Sequence, residues 1–237
     1  MRFHSASRTD VGLKRKINED ALLDCPDRSI WVVADGMGGH ESGEVASAMV
    51  VEAIEQSVTE IELGPALQQV ETALQQANGA MVEMMVGDRL RKMGSTAVGL
   101  VVADDGRYFC FWVGDSRAYH VRGGRITQIT RDHSLVQKLI DNRLLSPEDA
   151  ANHPDANVIT RAVGADKLLE VDHVVEVAQP NDIFVLASDG LTRCVEDDEI
   201  CRIVTSGNPT QACNELVDMV LSRGAPDNVS VIVVRVV

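Results

Sequence analysis

Apolar residues recur along this chain with two different periods. Continuous runs at 30–34, 98–102, 108–113, 183–187 and 229–237, rich in Val, Ile and aromatic residues, predict buried strands. Between 41 and 59 the spacing changes: Val45, Ala46, Met49, Val50, Ala53, Ile54 and Val58 share a helical face beside Glu52, Glu55 and Gln56. Gly64-Pro65 separates this helix from a second, over about 66–86, whose apolar face is Leu67, Val70, Leu74, Ala77, Met81 and Met85. Further helices are predicted over 197–204 and 210–222.

Turn signals limit how the strands connect. Asp104-Asp105-Gly106 and Gly123-Gly124 read as turns among strands at 98–102, 108–113, 118–121 and 126–129, so local antiparallel pairing is the economical arrangement. The runs at 183–187 and 229–237 do not alternate apolar with polar, so both of their faces need cover. Two packed sheets with helices outside supply it. The predicted class is therefore α+β, a four-layer α-β-β-α sandwich with two central, mainly antiparallel sheets. One domain over 1–237 is expected, with no internal repeat. Residues 132–154 stand apart: Leu135, Val136, Leu139 and Ile140 suit a short helix, and Ser146-Pro147-Glu148 resembles the start of another. This segment reads as a surface insertion, either a mobile substrate-selecting flap or a fixed helical cover.

Charge removes some functions. Lys plus Arg total 22 against 36 Asp plus Glu, a net charge of −14, which disfavours a nucleic-acid binder or a stable partner of anionic membranes. No apolar run is long enough to span a bilayer and no signal peptide is evident, so a cytoplasmic protein is expected. Cys25, Cys110, Cys194, Cys201 and Cys213 form no CxxC pair and read as free, buried thiols.

The candidate chemistry is carboxylate chemistry. The run at 30–34 ends in Asp35-Gly36 and that at 183–188 in Asp189-Gly190; each reads as a tight turn presenting an acid at a sheet edge. Asp20, Asp115 and Asp227 lie beside comparable runs. A single such Asp is more often a solvated turn or a helix cap. Five of them converging would repel one another unless cations compensated, which points to a magnesium or manganese centre with oxygen ligands. Gly36 would let its carbonyl approach an ion, and Arg15 is either a phosphate anchor or a surface salt-bridge partner.

In order, the segments TDVGLKRKINED (9–20), ADGMGGH (34–40), Gly114-Asp115-Ser116-Arg117, Ala187-Ser188-Asp189-Gly190 and Asp227-Asn228 resemble the signature blocks of metal-dependent protein phosphatases of type 2C, particularly the compact bacterial members. The resemblance implies two core Mn2+ or Mg2+ ions and phosphoserine or phosphothreonine substrates. It makes Asp35 the bridging ligand, with Asp189 and Asp227 on one ion, and the Gly36 carbonyl and, through water, Asp20 on the other. It puts Asp115 and Asp189 beside a third, weaker ion and makes Arg15 the phosphate ligand. Attack by a metal-activated hydroxide without a phosphoenzyme follows from the same resemblance. Asn228 either orders the final turn or the carboxylates, or takes part in attack.

One departure touches proton transfer. Relatives with Asp-Gly-His-Gly carry a histidine where this chain has Met37, whose thioether has no proton to give. His40 is a proton donor or a residue of the loop behind the ligands. The expected partners are phosphorylated proteins and a bacterial serine/threonine kinase that the phosphatase opposes. A small-phosphomonoester hydrolase, or a weakly active regulatory binding protein on the same fold, are the alternatives.

Overall fold

The computed structural model describes residues 1–38, 42–59, 62–86, 92–150 and 153–237. One sheet has the order β1 (Phe3–Asp10), β11 (Val229–Val236), β10 (Ile183–Ala187), β7 (Arg117–Arg122) and β8 (Arg125–Gln128). The other runs β2 (Asp20–Cys25), β3 (Ile30–Gly38), β5 (Ala97–Val102), β6 (Arg107–Val113) and β9 (Asp172–Val177), with β4 (Met93–Ser95) paired to the end of β3. Every one of these strand pairs is antiparallel.

Three apolar layers follow from the strand and helix faces. Trp31, Val33, Leu100, Tyr108, Phe184, Leu186 and Ile232 fill the space between the sheets. Burying each large side chain of this kind contributes about 1.5–3 kcal/mol. Their polar tips are satisfied at the rim: Trp31 Nε1 donates to Asp24 and the Tyr108 hydroxyl to Glu176. Helices α1 (Ser42–Ser57) and α2 (Leu63–Met84) cover the outer face of the second sheet through Val50, Ile54, Val70 and Leu74. On the first sheet, α5 (Asp189–Thr192) and α7 (Pro209–Ser222) bring Leu191, Leu216 and Val217 over β11, and α6 (Asp197–Ser206) adds Ile200 and Ile203 beside α7 and β8. This is the four-layer α+β sandwich that unbroken apolar runs predict.

Several local expectations change. Gly64-Pro65 lies inside the first turn of α2, because proline's missing N–H costs nothing where no intrahelical acceptor exists. Asp35-Gly36 is not a turn: β3 continues to Gly38, where Gly36–Gly38 exchange β5 for β4 as partner. Asp189-Gly190 begins α5 rather than a turn. β1 is mostly half-buried and polar, so its strand state comes from full pairing with β11 and not from an apolar run. Cys110 and Cys213 are buried, but Cys25, Cys194 and Cys201 are only partly so, and all five thiols are free.

The 132–154 segment contains α3 (Leu135–Asp141) and α4 (Pro147–Ala150). No residue of α3 is fully buried, and Leu144 is 73% exposed. Its root is firm nonetheless: Arg117 makes a forked ion pair with Asp132, and Ser134 bridges to Ile159.

Candidate metal centre and phosphate site

Register and close backbone approach build the site. Pairing of β2 with β3 sets Asp20 opposite Asp35, and the Gly36 N–H donates to the Glu19 carbonyl at 3.0 Å. A side chain at Gly36 would lie 1.9 Å from the Gly43 carbonyl oxygen, so glycine lets α1 pack against this stretch of β3. Gly190 serves the same purpose on the other sheet: a Cβ there would lie 1.9 Å from the Asn228 carbonyl oxygen. The start of α5 and the turn before β11 are thereby brought together, and with them Asp189 and Asp227.

Hydroxyls fix the acids from behind. Thr96 Oγ1 accepts from the Asp35 N–H at 2.9 Å and shares a hydrogen bond with Ser116, next to Asp115. Ser188 Oγ donates to Asp20 Oδ2 at 2.8 Å and accepts from the Ser230 N–H. Asn228, 3% exposed, ties the loop that carries Arg15: its Oδ1 accepts from Glu19 N–H and its Nδ2 donates to the Val11 and Ile17 carbonyls. A side chain bonded in this way orders backbone.

Arg15, Asp35, Gly36, Asp189, Asp227 and Asn228 border one cleft of about 330 Å³. Asp20 and Asp115 stand behind it. Arg15 Nη2 donates to Asp227 Oδ2 at 2.8 Å from a half-exposed position at the mouth. Arg193, absent from the sequence expectations, also lines the cleft; it is ion-paired with Asp189 and lies 3.8 Å from Asp227. Its only sequence signal is the i,i+4 spacing from Asp189 on a helix start. Met37 borders the cleft in the position expected of a proton donor, and His40 lies outside the described residues.

The electrostatics record the crowding. Burial, then the Asp189, Asp20, Asp115 and Asp227 charges, hold Asp35 well above the ordinary carboxylate range. Asp20 is pushed up to about 7, first by burial, with hydroxyl hydrogen bonds opposing. Asp115 likewise rises to about 7 through burial and then Asp189. Asp189 is raised by burial against the pull of Arg193, and is close enough to Asp35 to share a proton.

Three carboxylate oxygens, Asp20 Oδ1, Asp115 Oδ1 and Asp189 Oδ1, are buried with no hydrogen-bond partner. Buried acceptors without donors are costly, and hard oxygen donors with nothing to bind fit magnesium or manganese. Among the described residues no three Asp, Glu, His or Cys side chains are placed to hold an ion together.

The raised carboxylates give a pH prediction for the metal-free protein. A group whose folded pKa lies above its ordinary 3.8 stabilises the fold fully below that range and loses the contribution as pH rises through the folded value, here about 7 for Asp20 and Asp115. Thermal melts after chelation should therefore show Tm falling from about pH 5 to about pH 8, and saturating manganese should remove the fall. A flat metal-free profile would exclude carboxylate crowding as a source of instability.

The family described as Protein phosphatase 2C matches residues 14–223. Serine/threonine protein phosphatase PstP of Mycobacterium tuberculosis is 34% identical over 98% of this chain and 45% of its own, so the chain spans about half the length of that relative. Among solved structures, PppA, "a key regulatory component of T6SS in Pseudomonas aeruginosa", is 40% identical with a TM-score of 0.91, covering 99% of this chain and 98% of that one. The catalytic domain of PstP in complex with two manganese ions is 33% identical with a TM-score of 0.90, covering 99% and 98%. On the fold, the ordered motif blocks and these matches, the chain belongs to the protein phosphatase 2C family.

Proposed function

We propose that this chain hydrolyses phosphoserine and phosphothreonine in proteins, opposing a bacterial serine/threonine kinase in a cytoplasmic signalling pathway. The observation that carries the reading is the cleft itself: unsatisfied carboxylate oxygens on its inner side and a half-exposed guanidinium at its mouth. A single catalytic domain over 1–237 belongs to the same reading. Asp35, Asp189, Asp227 and the Gly36 carbonyl would hold two Mn2+ or Mg2+ ions, with Asp20 acting through water. Bound ions supply charge cover for the phosphoryl oxygens and a water acidic enough to attack at neutral pH. A third ion would have to share Asp115 and Asp189 with Arg193.

The chain's own groups do the rest. Arg15 offers a planar pair of donors to the tetrahedral phosphate, and its bond to Asp227 keeps it aimed at the cleft before substrate arrives. Asn228 maintains that aim by holding the Arg15 loop. Among the described residues, those lining the cleft include no Ser, Thr, Cys or His, which favours direct attack over a phosphoenzyme on such a side chain. Met37 gives no proton; His40 lies outside the described residues, and water in the cleft would serve the leaving oxygen in this reading.

Arg15→Ala should lower kcat/KM for a phosphopeptide by about 10–100-fold, chiefly through KM, with Arg15→Lys intermediate because an ammonium cannot form the fork. Manganese uptake should persist. Wild-type kinetics in Arg15→Ala would remove the residue from phosphate binding.

Residues 132–154 are the substrate-selecting flap in this reading. Ser134 pairs with Ile159, and Ile159 and Asn157 border the cleft, so the root of the segment reaches the site while α3 stays outside the core. Replacing the surface side chains of Gln137, Lys138, Asn142 and Arg143 should alter discrimination among phosphopeptides about three- to ten-fold and leave hydrolysis of a small aryl phosphate nearly unchanged. Parallel losses on both substrates would rule the flap out as a selector.

A further inference from the structure

Arg193 sits where a cation is needed most. Its guanidinium pairs with Asp189 Oδ2 and reaches toward Asp227 Oδ2 at 3.8 Å, while Asp189 Oδ1 stays buried and unpartnered on the other side of the same carboxylate. Asp115, whose Oδ1 is also buried and unpartnered, lies within the field of the same guanidinium. Arg193 caps α5 four residues after Asp189, so it can keep one oxygen of Asp189 while leaving the other to the centre.

Charge determines how many ions such a centre holds. Glu19, Asp20, Asp35, Asp115, Asp189 and Asp227 are six acids facing two arginines, Arg15 and Arg193, whereas nearby Asp132 is already paired with Arg117. The deficit of four charges is the charge of two divalent ions. A third ion would leave the centre two charges positive, at separations where uncompensated charge is expensive. Without Arg193 the deficit is five, and two ions would leave one carboxylate charge uncovered beside Asp115. We propose that Arg193 is a tethered cation of the centre, holding Asp189 and standing in for a third divalent ion beside Asp115. The inference rests on the phosphatase reading above.

The experiment is a manganese titration of the full chain, following free Mn2+ by electron paramagnetic resonance and heat by calorimetry. The wild type should take up two ions. Arg193→Gln should gain a third, bound at least about ten-fold more tightly than any third uptake in the wild type, and the gain should vanish in the Arg193→Gln/Asp115→Asn double variant. Arg193→Lys, which keeps the charge, should retain the wild-type count. Equal uptake by wild type and Arg193→Gln, or a gained site that survives Asp115→Asn, would overturn the assignment. Should Arg193→Gln fail to fold, Asp115→Asn alone decides: unchanged uptake of two ions supports a cation already in place, and loss of an ion refutes it. A wild type that takes up no manganese would instead defeat the phosphatase reading itself.

Discussion

Stripping divalent ions with a chelator is expected to abolish phosphopeptide hydrolysis, and manganese to restore it. The expected size is the full catalytic effect, because no residue described along the cleft is a Ser, Thr, Cys or His nucleophile that could sustain a slower route. Arg15 would still attract the phosphate, so binding of a phosphopeptide should weaken far less than turnover. Three buried oxygens without donors are the structural reason to expect ions here. Residual turnover above about one per cent of the manganese-loaded rate, after verified metal removal, would mean that the chemistry lies elsewhere.

Asp35→Asn should lose activity about a thousand-fold or more while making the metal-free protein more stable. The loss follows from removing the carboxylate expected to bridge the ions. The gain follows from burial first and then from the charges around Asp35, which together raise its pKa well above the ordinary carboxylate range. Asparagine imitates the protonated form. The variant should therefore match the wild type in acid and exceed it increasingly as pH rises, by about 1–2 kcal/mol once the wild-type carboxyl ionises. Urea melts of both proteins in chelator, run at several pH values, provide the check. A destabilised Asp35→Asn would show that its carboxylate is held by contacts other than the crowded acids.

The layered fold was legible because β10 and β11 are apolar on both faces, a pattern that demands cover on both sides. β1 was not: its residues are mostly polar, and its state is decided by pairing with a strand more than 200 positions away. The five aspartates were legible as candidates because each adjoins an apolar run, and the motif blocks gave them an order. What they rest on was not. Thr96, Ser116 and Ser188 resemble any other hydroxyl residues in sequence, and only the fold shows them bonded to the acid-bearing backbone and side chains. Arg193 was missed for a related reason: an arginine four residues past an aspartate is commonplace on helices, and its meaning comes from Asp227 arriving from another part of the chain.

The position of β11 between β1 and β10 bears on how the protein comes into being. β11 follows every other described strand in sequence, yet it occupies an interior place in its sheet, and the turn before it carries Asp227 and Asn228. During synthesis, β1 and β10 must wait for a neighbour that leaves the ribosome after them. The Arg15 loop waits as well, since Asn228 is what fastens it. Pairing partners so far apart in sequence make folding slow, and they leave the flanking strand edges of the nascent chain open until β11 arrives. A nascent chain stalled before residue 227 would thus carry Asp35 and Asp189 without Asp227 to face them and with the Arg15 loop unfastened.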